Sequence, residues 1–215
     1  SGEPLFHYDD RIEHFYIVCE GAVQLFRETA DGHEATADVL LPGEFIGETD
    51  ILQPRQSWPF NALAAKDSVV CELPLGWLKE NARTQPVLAM NLLTILSQRT
   101  HIAAVEAEHK ATMTAAQQVA CFLERLCVLH DFDPRGFDLP YSKTLIASRL
   151  GMELETFSRT LSKIRDHGIT VKGTHVSFQD LDAMESFVCD HCSIADNCRE
   201  HELLRAKIEK PGKPA

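Results

Sequence analysis

The stretch Ser142 to Asp166, SKTLIASRLGMELETFSRTLSKIRD, constrains the fold of this chain more than any other. Ile146 and Leu150 lie four residues apart on one face of a short helical pattern, with small Ala147 between them. Beyond Leu150-Gly151-Met152, Phe157, Leu161 and Ile164 recur at helical spacing and make a second apolar face. Gly151 supplies a tight turn where a Cβ would be awkward, and Ala147 allows the two helices a close approach. Helices joined in this way form a helix-turn-helix, whose second helix enters the major groove of DNA.

The outward residues of the second helix are Glu155, Thr156, Ser158, Arg159 and Lys163. Arg159 can donate in bidentate fashion to guanine O6 and N7, Glu155 can accept from a cytosine amino group, and Ser158 can reach a base edge or a methyl. These three are the candidate base contacts. Lys143, Thr156, Lys163, Arg165 and Lys172 are candidate phosphate contacts, which position a protein without reading sequence. On an isolated helix, Glu155 and Arg159 would be a solvated i,i+4 ion pair worth ~0.3–0.5 kcal/mol. Beside Gly151, Ala147 and the hairpin that follows, DNA recognition is the stronger reading.

The formal net charge of −11 looks wrong for a DNA binder until it is resolved by region. Residues 1–110 carry 17 acids against 8 Lys/Arg, whereas residues 142–172 carry 6 Lys/Arg against 3 acids. The local basic surplus is what counts. At 215 residues, 44% hydrophobic and 25% charged, the chain holds one large or two ordinary globular domains. No apolar run approaches the ~20 residues that cross a bilayer, so no membrane partner is expected. No signal peptide opens the chain; it starts at Ser1-Gly2-Glu3, with room for native residues before it. Seven cysteines, an odd number, do not form a secreted disulfide framework, and a reduced cytoplasm is expected.

Taken in order, residues 1 to about 75 are short apolar runs between turns. His14 to Cys19 and Ala22 to Phe26 are strand-like, Asp31-Gly32 is a hairpin turn, and Pro42-Gly43-Glu44 is another. Ala62 to Ala65 and Val69 to Leu73 follow, and the spacing predicts a sandwich or barrel. From Val87 the period becomes helical: Leu88, Leu92, Ile95, Arg99, Ile102 and Val105 or Glu106 recur for about five turns, with Met90, Leu93, Leu96 and Ala103 widening the apolar surface. Such a helix packs on two things, the β domain and its own twin in a homodimer. Lys110 to Thr114 is polar enough for a hinge. A helix from Ala115 to His130 is expected to bury Val119, Phe122, Leu123, Leu126 and Leu129, and Asp131 to Pro140 reads as a loop. Gly168 ends the recognition helix. Ile169, Val171, Val176 and Phe178 then alternate about Lys172-Gly173 as a β-hairpin wing.

This order, with Phe15-Tyr-Ile-Val, Glu20-Gly21, Pro42-Gly-Glu-Phe-Ile-Gly-Glu48 and Glu155-Thr-Phe-Ser-Arg159, resembles the Crp–Fnr family of bacterial transcription regulators over essentially the whole chain. The resemblance implies an α+β fold in four parts. These are a β-roll sensor (a cyclic-nucleotide-binding-like jelly roll, 1–85), a long dimerisation helix with its hinge (86–110), a winged helix-turn-helix (111–188) and a Cys-containing tail (189–215). It implies a homodimer on a palindromic double-stranded DNA site, with half-sites of the TTGAT kind, and contact with RNA polymerase. The E-x-x-S-R pattern is similar to that of the Fnr-type and nitric-oxide-responsive branches, and the resemblance assigns base reading to Glu155, Ser158 and Arg159. Gly47, Glu48 and Trp58 fall in the effector pocket. Cyclic-AMP-binding members carry an Arg-Ser pair where Trp58-Pro59 stands here, and Arg55 is out of register. A phosphodiester buried without a cation is costly, so cyclic AMP is not expected. Glu153 is a poor helix cap, and Thr160 occupies a position more often apolar.

Cys189, Cys192 and Cys198 form a C-x2-C-x5-C set after the wing. Three thiolates at this spacing can converge on one centre. An Fe–S cluster needs a fourth ligand, and Zn²⁺ accepts Cys₃His, with His201 or His191 at hand. Cys19, Cys71, Cys121 and Cys127 each sit in an apolar run and are expected to be buried as small apolar residues, with a fourth thiolate as their other reading. A redox-active thiol set is the alternative to metal. His7, His14 and His33 are the haem candidates of the sensor part, while His101 and His109 are expected to be solvated or interfacial. A metal-dependent β-barrel enzyme is the rival class; the β region has no H-x-H pair, and the chain has no nucleophile–base set or phosphate-cradling glycine loop. No enzymatic activity is expected. A cyclic-nucleotide-binding regulator of the cAMP receptor type is the other alternative.

Overall fold

In the computed structural model, residues 2–47, 56–189, 192, 198 and 203–206 are described. Alternation of apolar and polar residues builds the first seven strands: β1 (Pro4–Phe6), β2 (His14–Glu20), β3 (Val23–Glu28), β4 (Glu34–Leu40), β5 (Phe45–Ile46), β6 (Asn61–Ala64) and β7 (Val69–Pro74). They form a four-stranded sheet in the order β1-β6-β3-β4 and a three-stranded sheet in the order β5-β2-β7. Phe15, Val18, Val23, Leu40, Ile46 and Trp58 meet in the core of this β-roll. Gln24, between core-facing Val23 and Leu25, is also buried, and its amide donates to Thr36 Oγ1 across β3 and β4 at 2.9 Å. That bond offsets the desolvation of both groups.

Two thiols depart from expectation. Cys19 and Cys71 are exposed, not buried. Cys19 sits at the register shift between Val18 and Glu20, where an unpaired extra residue turns the chain outward. Cys71 pairs with Ile17 across the β2–β7 ladder and remains exposed.

A helix absent from the sequence reading, α1 (Leu75–Thr84), follows β7 and sends Leu75 and Leu78 into the β core. After Gln85, α2 runs from Pro86 to Thr112, 27 residues or about 40 Å. Proline suits its first turn, where an N–H would have no helical partner. Leu88 and Leu92 pack against the β core, while Val87, Met90 and Leu93 stand 74%, 60% and 57% exposed along another face. Arg99 reaches Asp38 on β4 at 3.1 Å and Glu44, just before β5, at 3.2 Å.

The chain divides into two compact units inside α2, Ser1–Ala104 and Val105–Ala215. In the second unit α2 stays helical past Lys110, so the break before the next helix is only Met113 and Thr114, shorter than the hinge expected from polarity. Thr114 caps α3 (Ala115–Leu129) with a capping box, its hydroxyl accepting from Gln117 N–H while the Gln117 side chain accepts from Thr114 N–H. The buried side of α3 is rotated from the expected one. Val119, Leu123 and Leu126 are buried, but so are Ala116, Ala120, Cys121 and Cys127, whereas Phe122 is half-buried and Leu129 is 54% exposed. The buried residues of α3 occupy more than one side of the helix.

The stretch expected to be a loop contains β8 (Phe137–Asp138), which pairs with the wing. Then come α4 (Lys143–Arg149), α5 (Leu154–Arg165), β9 (Ile169–Lys172), β10 (His175–Phe178) and α6 (Leu181–Cys189). The small sheet has the order β8-β10-β9. Phe157, Ile146, Ile164, Ile169 and Val176 are all at 0% exposure and hold helices and wing together.

Candidate nucleic-acid interface

The turn between α4 and α5 is made by the residues the sequence singled out. Ser142 caps α4, its hydroxyl accepting from Leu145 N–H at 3.2 Å. Gly151 takes a φ of +68°, and Met152 N–H returns to Ala147 C=O at 3.0 Å. This left-handed residue after the C-cap closes the last carbonyls of α4 and reverses the chain. Glu153 begins α5 with no side-chain cap, as its type predicted. Of the expected apolar stripe, Phe157 and Ile164 are fully buried but Leu161 is only half-buried; Thr160 turns inward instead, at 4% exposure. Its hydroxyl donates to Thr156 C=O at 2.8 Å, so the buried oxygen is satisfied within the helix.

The opposite face is open. Glu155, Ser158, Arg159 and Lys163 are exposed, with Arg159 at 68% and Glu155 at 82%. Arg159 Nη1 is 3.7 Å from Glu155, and Arg159 Nη2 donates to Thr156 Oγ1 at 3.3 Å. Both contacts are weak and wet, so the guanidinium can be withdrawn at small cost. Arg159, Lys163 and Thr156 also line a groove of about 580 Å³ together with Thr114 and Ala115 at the start of α3. Arg165 is 3.9 Å from Asp166, with both exposed. Lys172 is exposed at the end of β9, on the wing, and Lys143 is half-buried at the first residue of α4. A different, less exposed set of charges joins α2, α3 and α4. Glu106, near the end of α2, accepts from Arg149 on α4 at 2.9 and 3.0 Å and from Arg125 on α3 at 3.3 Å.

The sensor candidates fall differently. Gly47 is buried with a φ of +104°, while Glu48 and Arg55 lie outside the described residues. Trp58 is 3% exposed and stacks on Phe6 with ring centroids 3.9 Å apart, so it is a core side chain. His7 and His33 are exposed, and His14 is partly exposed beside Glu72 at 3.3 Å.

The C-terminal thiols lead to Cys121, one of four thiols the sequence offered as a further ligand, and to His109, which the sequence reading did not join to them. Cys189, at the end of α6, Cys192 and Cys198 are half-buried; His191 and His201 lie outside the described residues. Cys192 N–H donates to Cys189 C=O at 3.1 Å. His109, expected to be solvated or interfacial, is 7% exposed. Its Nε2 is 3.5 Å from Cys192 Sγ and its Nδ1 is 3.7 Å from Cys121 Sγ. A neutral imidazole can donate to one sulfur and accept from the other. Burial pushes the Cys121 thiol well above its ordinary range, with Glu124, Cys198 and Cys189 adding to the effect and Arg125 opposing it. Burial likewise pushes Cys189 up to about 12, with Glu124, Cys198, Cys192 and Glu185 contributing. Among the described residues no three His, Cys, Asp or Glu side chains already stand as a metal-holding group. His109, 83 positions from Cys192, gave no local signal, and the sequence did not separate Cys121, 71 positions away, from Cys19, Cys71 and Cys127.

Comparison with known proteins places two models on this chain: residues 1–83 match a cyclic nucleotide-binding domain, and residues 117–187 match a Crp-like helix-turn-helix domain. The transcriptional activator protein FnrA of Stutzerimonas stutzeri is 30% identical over 174 residues, covering 79% of this chain and 70% of that protein. The transcriptional activator protein anr of Pseudomonas aeruginosa is 28% identical over 184 residues, covering 84% and 75%. The structure of FixK2 from Bradyrhizobium japonicum superposes with a TM-score of 0.75 at 25% identity, covering 87% of this chain and 93% of that one. No helix among the described residues is long and apolar enough to cross a membrane.

Proposed function

We propose, on the premise that the chain belongs to the Crp–Fnr family of DNA-binding transcriptional regulators, that two copies joined along α2 read a palindromic site in double-stranded DNA. The protein is a regulator and not an enzyme. The single observation that carries the reading is the open face of α5, where Arg159 and Glu155 are 68% and 82% exposed over a fully buried Phe157 and Ile164. Arg159 reads a guanine, Glu155 a cytosine and Ser158 a neighbouring edge in half-sites of the TTGAT kind. Lys143, Thr156, Lys163, Arg165 and Lys172 hold phosphates on either side. The exposed Val87, Met90 and Leu93 supply the seam for the second copy, which sets the two recognition helices one DNA turn apart. The dimer works in the cytoplasm and delivers its signal to RNA polymerase.

The signal enters at the C-terminal thiols, where Cys189, Cys192 and Cys198 hold a metal or an Fe–S cluster. Cyclic AMP is not the effector in this reading: Trp58 and Pro59 stand where the phosphate-neutralising pair belongs, and Trp58 fills the core against Phe6. Haem finds no support in His7, His14 or His33, which are exposed or face a surface carboxylate.

A binding-selection experiment with randomised duplexes tests the DNA reading. The wild type should return inverted TTGAT-type repeats, and Arg159→Ala should lose preference at one guanine in each half. Selection of the same sites by both proteins would refute the assignment of Arg159.

A further inference from the structure

We propose that His167 is a further contact to the DNA backbone: its ring edge, held at one end of the groove beside α5, donates to a phosphate next to the one assigned to Lys163. This rests on the DNA reading above and adds a donor from just past the end of the recognition helix.

Three observations carry it. Arg159, Lys163 and His167 follow one another at intervals of four, and all three line the groove of about 580 Å³ whose other wall includes Thr114 and Ala115. At ~1.5 Å of rise per residue, Lys163 and His167 stand roughly 6 Å apart along the helix, so they serve different phosphates. Among the described residues, neither the His167 ring nitrogens nor the Lys163 ammonium has a hydrogen-bond or ion-pair partner. The His167 ring is nevertheless fixed. It stacks on Phe187 of α6 with centroids 3.8 Å apart and 10° between the planes. Phe187 is tied to α3 in turn, its C=O accepting from the buried Gln117 amide at 2.9 Å. The chain turns directly after His167, where Gly168 takes a φ of +81° and a Cβ would run into Asp180 C=O. Stacking uses the face of an imidazole and leaves its nitrogens on the edge. A donor already held in place loses little freedom when it meets its acceptor.

The charge around the groove suits an anion. Arg159 and Lys163 are positive, and the first turn of α3 adds the partial positive charge of a helix start. Thr114 and Ala115 put no net charge and little bulk on that wall. Asp166 is the opposing group on α5, and Arg165 lies 3.9 Å from it. On the α6 side, Asp180 Oδ1 accepts from Ala183 N–H at 3.0 Å and Glu185 pairs with Arg205 at 2.7 Å. Arg159 belongs both to the groove and to the open reading face, so the two surfaces are continuous. The occupant that fits is the strand whose bases Arg159 meets, since a duplex backbone brings one negative charge at every phosphate.

The test uses the full chain and the duplex returned by binding selection. Each phosphate of one half-site is replaced in turn by an uncharged methylphosphonate. His167→Phe keeps a ring against Phe187 and removes the ring N–H donors. It should bind the intact duplex ~3–10-fold more weakly per half-site, the effect of one hydrogen bond, with base preference unchanged. At one methylphosphonate position it should make no further difference, and at all the others it should cost its full factor. That position should neighbour the one at which Lys163→Ala is silent. Phe187→Leu releases the ring without touching its nitrogens; it should lose part of the factor in the wild type and none in the His167→Phe background. His167→Ala repeats the cycle with the ring gone. Wild-type affinity in folded His167→Phe and His167→Ala overturns the contact, as does a factor that stays the same at every substituted phosphate, which would mark a role in the fold alone. An altered base preference moves His167 from backbone to bases and overturns it too. A wild type that selects no duplex overturns the DNA reading beneath it.

Discussion

Arg159 and Arg149 each face a glutamate in the second unit, but the two pairs are built differently. Arg159 and Glu155 are 68% and 82% exposed and 3.7 Å apart. Arg149 and Glu106 are 12% and 23% exposed, 2.9 Å apart, and joined by Arg125 at 3.3 Å. The second set is a fastening: three charges from α2, α3 and α4 are largely out of water, and removing one leaves the others poorly solvated. The first set is a resting place. An exposed pair of this geometry is worth little, so under the proposed function a guanine edge would compete for the guanidinium on favourable terms. A recognition surface needs cheap internal partners, and the scaffold behind it needs costly ones.

Glu106→Ala should do the largest damage, because Arg125 and Arg149 would be left facing each other. A loss of roughly 2–4 kcal/mol in urea unfolding of the second unit is expected, and a loss below about 0.5 kcal/mol would erase the contrast drawn here. Arg159→Ala should leave stability within ~0.5 kcal/mol while costing ~1–3 kcal/mol of discrimination at one base pair. Unfolding and duplex titration on the same sample separate the two effects. Lys163→Ala should weaken all duplexes alike and reduce the slope of log K against log salt by about one; a sequence-dependent loss would move Lys163 into the base-reading group. The smallest change sharpens a contrast between the two caps. The Ser142 hydroxyl accepts from Leu145 N–H, and Glu153 makes no side-chain cap bond. Glu153→Ser should raise stability by ~0.5 kcal/mol, seen as a small rise in Tm with DNA affinity retained.

The parts legible in the sequence were those written by neighbours. Gly151, Ala147 and the Phe157–Ile164 spacing interact within one or two turns, so the helix pair and its open face could be read directly. The strands of the β-roll announced themselves by alternation and by turns such as Asp31-Gly32. Short elements without a period of their own, β8 with two residues and α1 with two buried leucines, did not. The phase of α3 was misread because its apolar residues cover several sides, and which side faces inward depends on helices far along the chain. The same limit hid the surroundings of His109. The C-x2-C-x5-C spacing was visible, but the place of His109 between Cys192 and Cys121 exists only once the second unit has packed. Cys19 looked apolar in its run, yet a register shift of one residue put it outside.

Met113 and Thr114 are the whole joint between a 27-residue helix and the DNA-binding helices. With α3 locked at its first turn by Thr114 and Gln117, few torsions remain free to absorb a twist. Such a joint behaves as a knuckle and not as a tether: within the second unit, the end of α2 and the start of α3 can turn against each other only as far as those few torsions allow. Splicing two or three glycines between Met113 and Thr114 should therefore loosen α3 from the end of α2 and lower the stability of the second unit in urea, while the α4–α5 pair keeps its grip on DNA.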